Sequence, residues 1–368
     1  MEEENLVEYE SLKKSNQEFE GAIKAAITKV LESGWYILGQ EVVGFETAFA
    51  SYVGSKYCIG VANGLDALIL SIEALKLPRN SEILVASNTY IATILAILKA
   101  GHQPVLVEPV KATFNLDPEK IRSSLTRRTK AICVTHLFGG ACDLDRIVNL
   151  CDIHGLKLIE DCAQSHGTTY KGRHTGTFGS AGCFSFYPTK NLGCLGDGGA
   201  IVTDDPNIAD HLKYLRNYGS KTKYYNRYIG HNSRLDEIQA AVLSVKLSQF
   251  ERVIQHKRKL AEIYQTHLPD FINKPIIDQC VKHTYHIYAI RSPCRDQLRS
   301  WLTRNSIKTE VHYPISPHRQ EALIGLFTGE YPISDELHST ELSLPISYGT
   351  TVDDVQRVVK VIKGFQID

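Results

Sequence analysis

Short apolar runs alternating with helix-period segments restrict this chain more than any other feature. The runs lie at 57–61, 83–86, 105–107, 131–135, 157–160, 183–186 and 200–203. Several are apolar throughout rather than alternating, which is the pattern of parallel strands covered on both faces. Between them, Leu65, Leu68, Ile69, Ile72 and Leu75 recur at helical spacing, and 144–154 reads as another helix. Upstream, Ile23, Ile27, Val30 and Leu31 share one face until Gly34 ends the helix, and 42–52 is a second amphipathic stretch. The alternation predicts an α/β fold: a mostly parallel sheet flanked by helices. Leu235, Ile238, Val242 and Val245 predict a strong helix opening at Ser233, with Ser233 and Asp236 spaced as a capping box. We place a domain boundary at its end. Residues 1–247 then form a large domain, and 248–368 a smaller α/β domain with a strand at 286–290.

Charge and cysteine content exclude several classes. The 368 residues carry 41 Lys+Arg against 41 Asp+Glu. No basic excess marks a nucleic-acid partner. The 43% apolar content is too high for a disordered chain. The greasiest run, 91–98, is too short to span a bilayer. Nine cysteines, an odd number without a CxxC pair, make a poor disulfide or zinc framework. Cys133, His136, Cys142, Cys151 and His154 give no four-ligand set with standard gaps. The acidic start, MEEENLVEYE, lacks the features of a signal peptide. We expect a cytoplasmic protein with no nucleic-acid or membrane partner and no metal.

Ligands of open α/β sheets bind outside the carboxyl ends of the strands, so the residues following each run matter most. After the first comes Asn63-Gly64-Leu65-Asp66, a glycine turn opening a helix. It reads equally as an ordinary N-cap or as a phosphate cradle of free N–H groups. After the second comes Tyr90, a core aromatic or a plate for a flat ligand. After 157–160 comes Asp161, then Gln164. An acid at the end of an apolar strand caps the next helix or awaits a cation. After 183–186 comes Lys190, a surface lysine or a nucleophile for a carbonyl. The glycines at 193, 196, 198 and 199 lack the Rossmann spacing, and Ser185 sits in no GxSxG elbow. Each signal is weak alone. A phosphate cradle, an aromatic plate, a carboxylate for a protonated ring nitrogen and a lysine for an aldehyde together match pyridoxal 5'-phosphate.

At these residues the chain resembles the DegT/DnrJ/StrS family of nucleotide-sugar aminotransferases, fold type I pyridoxal-phosphate enzymes. The resemblance runs from 34–39 (GWYILG) to 344–346 (LPI). It is carried by 160–167 (EDCAQSHG), 184–193 (FSFYPTKNLG), 232–240 (NSRLDEIQA) and 311–314 (VHYP). It implies that Lys190 bonds the cofactor aldehyde and then shuttles protons, and that Asp161 pairs with the pyridinium nitrogen. It implies that Gln164 bonds the ring oxygen, that Tyr90 stacks on the ring, and that Gly64, Leu65 and Ser185 hold the phosphate. Asn232 would reach the phosphate of a neighbouring subunit, so a homodimer with shared active sites is implied. Many relatives carry Thr or Ser where Leu65 stands, so a hydroxyl contact is lost there. Tyr187, Tyr224, His231, His312 and Tyr313 are candidates to line the sugar and nucleotide pocket, or are structural.

The stretches 60–68 (GVANGLDAL), 87–93 (SNTYIAT) and 223–225 (KYY) look like enzymes that aminate the 3-keto group of dTDP-6-deoxyhexoses. Those use L-glutamate and make 3-amino-3,6-dideoxyhexoses for surface polysaccharides such as O-antigen, or for antibiotics. The choice of carbon 3 rests on resemblance. The alternatives are a 4-keto or UDP-linked substrate, a sugar dehydratase of the same fold, or a non-catalytic relative. Dehydratases carry His where Lys190 stands, which argues against that one.

Overall fold

The computed structural model describes residues 6–366, so the first five residues of the acidic start lie outside the described residues. Seven strands form the central sheet: β1 (Tyr57–Val61), β2 (Glu82–Ala86), β3 (Gln103–Val107), β4 (Thr129–Thr135), β5 (Lys157–Asp161), β6 (Ala181–Ser185) and β7 (Gly199–Thr203). Their spatial order is β1-β7-β6-β5-β4-β2-β3. Strands β3, β2, β4, β5 and β6 pair in parallel. Strand β7 runs antiparallel to both β6 and β1. The carboxyl ends of β1, β2, β4, β5 and β6 therefore share one edge. Strands β2 and β7 are buried along their whole length, which is why their sequences do not alternate.

Some helix ends are set locally and one from a distance. Gly34, at φ 65°, ends Glu20–Ser33, as expected for a left-handed C-cap. Asn63 caps Gly64–Ala74, its Oδ1 accepting from Asp66 N–H at 2.8 Å. One expectation fails. The helix after Ser233 begins only at Glu237, with no capping box. The Ser233 hydroxyl instead accepts from Ala62 N–H at 3.1 Å, tying this segment to the end of β1. Glu237 also acts on a distant element. Its carboxylate accepts the N–H groups of Gly39, Glu41 and Val42 at 2.7, 2.8 and 3.0 Å. It thus caps Gln40–Val53 from across the fold.

Apolar side chains cover both sheet faces, one around Leu68, Ile72 and Ile97, the other around Leu144, Ile147 and Leu150. A third cluster joins Phe45, Phe49, Phe184 and Phe186 in edge-to-face ring contacts. A separate core holds Tyr264, Tyr288, Leu298, Leu342 and Val358 around the antiparallel pair Tyr288–Arg291 and Glu341–Leu344. Helix Phe250–His267 joins the two regions. Phe250, Val253 and Ile254 pack with the phenylalanine cluster, while Leu260, Ala261 and Tyr264 pack in the separate core. The chain's start returns to that core through Val7, which bridges to Ile307. No helix among the described residues is long and apolar enough to cross a membrane.

Candidate active site

The shared edge of strand ends opens into a cavity of about 900 Å³. It is lined by Gly64, Leu65, Tyr90, Asp161, Gln164, Ser185, Tyr187, Lys190, His312 and Tyr313, among others. Ten of the thirteen residues singled out from sequence thus meet in one place. The other three do not line it. Tyr224 stands exposed on the hairpin 220–226, and Asn232 is also exposed. The ring of His231 is held by Glu73, with Nε2 2.9 Å from a carboxylate oxygen. Asn232 bridges Asn217, and the next residue, Ser233, is tied to Ala62 just after β1.

Asp161 closes β5 and is buried. Its Oδ2 accepts from the Thr93 hydroxyl at 2.7 Å and its Oδ1 from Ala163 N–H at 3.1 Å. Burial raises its carboxyl above the ordinary value, opposed by those two donors and by Lys190 and His136. The carboxylate is oriented by these two donors, and among the described residues no ion pair reaches it. Lys190 follows β6 on a tight loop, its N–H bonded to Tyr187 O at 2.8 Å. Burial pushes its ammonium down to about 8, although Asp161 and Glu10 pull it back up. An amine so lowered is partly free near neutral pH and can attack a carbonyl.

Two buried lysines pin this loop. Lys246 Nζ donates to Gly193 O at 2.6 Å, and Lys257 Nζ to Asn191 Oδ1 at 2.7 Å. The N-terminus of Gly64–Ala74 also lines the cavity. The first N–H groups of a helix have no intrahelical acceptor. Gly64 is required: a Cβ there would lie 2.6 Å from the Ser185 Cβ. Leu65 offers its backbone alone. Tyr90 is half exposed, its ring centroid 4.9 Å from that of Tyr313. Gln164 accepts from Phe138 N–H through Oε1 and donates through Nε2 to the Tyr313 hydroxyl, both at 2.8 Å.

Sequence reasoning missed several lining groups. Glu8, Tyr9, Glu10, His286, Lys308 and Glu310 all reach the cavity. They come from the chain's start and the separate core, and no motif marks them. Thr93 was legible only as the last residue of the stretch 87–93. Its hydroxyl also lies 2.9 Å from that of Thr89, which in turn lies 2.8 Å from that of Thr135.

Beneath Asp161, His136 Nε2 lies 3.0 Å from Glu160 Oε2, both residues fully buried. Cys162 lies close enough to complete a three-ligand group. Glu160, however, already accepts the N–H groups of Gly176, Phe178 and Gly179, each at 2.7 Å. His136 Nδ1 accepts from Cys142 N–H at 3.1 Å. Both side chains are spent on the fold. All nine cysteines are unpaired and seven are buried.

A lysine, a buried and oriented carboxylate, a glycine-dependent helix N-terminus and an aromatic plate on one cavity fit pyridoxal phosphate. Each of its groups would relieve a cost visible in the fold: the ring N–H answers Asp161, and the phosphate answers the helix amides. The fold and site define a fold type I, pyridoxal-phosphate-dependent aminotransferase. The model of the DegT/DnrJ/EryC1/StrS aminotransferase family matches residues 17–363. The chain belongs to that family, whose members include nucleotide-sugar transaminases. It is 48% identical to the dTDP-3-amino-3,6-dideoxy-alpha-D-galactopyranose transaminase of Aneurinibacillus thermoaerophilus, over 98% of this chain and 99% of that one. It is 40% identical to a dTDP-3-amino-3,4,6-trideoxy-alpha-D-glucose transaminase of Streptomyces venezuelae, over 97% and 95%. Among solved structures, S. venezuelae DesV in complex with a ketimine intermediate matches with a TM-score of 0.96 at 40% identity, covering 99% of this chain and 100% of that one. The ntda protein of Bacillus subtilis, with bound cofactor PMP, matches at 0.90 and 27% identity, covering 98% and 85%.

Proposed function

We propose that this enzyme moves an amino group from L-glutamate to a dTDP-3-keto-6-deoxyhexose, making a dTDP-3-amino-3,6-dideoxyhexose for surface polysaccharide such as O-antigen. The observation that carries the chemistry is the placing of Lys190 and Asp161 on one cavity with the Gly64 helix N-terminus. The naming of the 48% identical relative supports the sugar.

Pyridoxal phosphate supplies a carbonyl that accepts the amino group and a ring that withdraws electrons from the substrate carbon. Lys190 holds the cofactor, then takes and returns a proton at Nζ. Asp161 keeps a proton on the ring nitrogen by accepting its N–H, and Thr93 and Ala163 aim the carboxylate. The N–H groups of Gly64 and Leu65, with the Ser185 hydroxyl, hold the phosphate. Tyr90 would stack on the cofactor ring and Gln164 would bond its ring oxygen; both line the cavity. Tyr187, His312 and Tyr313 line the remaining space for the sugar.

Asn232 reaches the cofactor phosphate of a second copy in this reading. The exposed Trp35, Tyr36, Ile37 and Leu195 and the exposed hairpin at 220–226 support a homodimer. Balanced charge and nine free thiols support a cytoplasmic enzyme.

The test is amino transfer from L-glutamate across a panel of nucleotide sugars, with the product analysed for the position of nitrogen. Amination of the dTDP-linked 3-keto sugar at carbon 3 is expected. Preference for a 4-keto or UDP-linked sugar would overturn the substrate reading. Cofactor binding without any turnover of glutamate would overturn the activity itself.

A further inference from the structure

Behind His312, on one wall of the cavity, lie two buried polar side chains that no step above uses, Ser343 and Glu341. The His312 ring lines the cavity, and its Nδ1 lies 2.8 Å from the Ser343 hydroxyl. That hydroxyl lies 2.5 Å from Oε1 of Glu341. The other carboxyl oxygen, Oε2, accepts from His312 N–H at 2.6 Å, closing the loop. Ser343 and Glu341 are buried, on the strand Glu341–Leu344. Among the described residues no hydrogen bond reaches His312 Nε2. A hydroxyl between an imidazole and a carboxyl has one proton to give, so turning it one way or the other sets the whole chain.

We propose that Glu341, Ser343 and His312 form a proton relay ending in the cavity, with Glu341 and Ser343 as positioning residues that decide which ring nitrogen of His312 carries the proton. With Glu341 protonated, its O–H donates to Ser343 Oγ, Ser343 donates to Nδ1, and the ring proton sits on Nε2, facing the cavity. When a substrate oxygen takes that proton, the Glu341 proton passes to Ser343 and the Ser343 proton passes to Nδ1. The chain ends as carboxylate, hydroxyl turned toward Glu341, and a neutral ring protonated on Nδ1. One proton leaves the carboxyl, one reaches the cavity, and no other bond changes. That the acceptor is an oxygen of the bound keto sugar rests on the proposed function.

The electrostatics agree with this direction. Burial pushes Glu341 up to about 8, against its two hydrogen bonds and Arg295, so it holds its proton near neutral pH. Burial, and then Lys190, push His312 down to about 4, which keeps the ring neutral. The Tyr9 hydroxyl also hydrogen-bonds Ser343, beside Glu10 and Glu310; Tyr313 faces Glu341, and His286 faces His312.

The experiment is nitrogen NMR of the cofactor-loaded protein labelled with [15N]histidine, with His312 assigned by its loss in His312→Asn. It needs no turnover. The wild type should show the Nε2–H tautomer below about pH 8 and Nδ1–H above it. Glu341→Gln has an amide that donates to Ser343, so it should hold Nε2–H at every pH. Ser343→Ala should abolish the pH response, and Ser343→Thr, which keeps the hydroxyl, should restore it. In amino transfer, Ser343→Ala should lower kcat about 100-fold with little change in KM, and Ser343→Thr should recover it. A His312 tautomer that still switches in Ser343→Ala would overturn the relay, as would a kcat loss that Ser343→Thr does not repair. A switching tautomer in a protein that aminates no nucleotide sugar would support the relay and count against the proposed function alone.

Discussion

The Thr93 hydroxyl donates to Oδ2 of Asp161 at 2.7 Å, inside a site where both groups are buried. Thr93 lies one turn into the helix after β2, and Asp161 closes β5. The contact fixes the carboxylate's rotation and offsets part of its burial. Thr93→Val keeps the shape and removes the donor. A hydrogen bond to a charged group contributes about 1.5–3 kcal/mol. Cofactor affinity should fall about 10- to 100-fold, read by titrating the apoprotein with pyridoxal phosphate.

Lys190 gives a pH dependence with a definite sign. Its ammonium is lowered to about 8, and only the free amine attacks a carbonyl. Capture of added pyridoxal phosphate by the apoprotein should therefore speed up as pH rises through about 8 and level off above it. An ordinary lysine would place that rise at about 10.4. Asp161 pulls the Lys190 value upward, so Asp161→Asn should move the midpoint lower. Stopped-flow absorbance of the yellow product follows both.

Glu237 caps Gln40–Val53 by accepting three N–H groups, and it is buried. Glu237→Ala strands those donors together. Stability should fall by roughly 2–4 kcal/mol, measured by denaturant midpoint. An unchanged midpoint would show that water replaces the carboxylate at no cost.

The strands were legible because burial on both sheet faces leaves an unbroken apolar run, as in 83–86 and 200–203. The residues at strand ends were legible for the same reason: a polar group after such a run stands at the sheet edge. That is how Gly64, Tyr90, Asp161 and Lys190 could be read together. Contacts set by tertiary register were not legible. Ser233 has the spacing of a capping box, yet its hydroxyl goes to Ala62, 171 residues away. Glu341 and Ser343 alternate on a short strand, and only its pairing with Tyr288–Arg291 and the approach of His312 give them a shared role. Tyr9 and Glu10 reach the cavity only because Val7 is anchored in the separate core.

The central claim is that Lys190 is the residue that bonds the cofactor. Two other buried lysines test it sharply. Lys246 and Lys257 are also pushed down to about 8 by burial, and both share a small cavity with Lys190. The direct measurement is borohydride reduction of the pyridoxal-phosphate-loaded protein, followed by digestion and mass spectrometry of the peptides. The cofactor should be fixed to Lys190 alone, with loss of the yellow colour. A label on Lys246 or Lys257, or a colourless protein that takes up no label, would contradict the account.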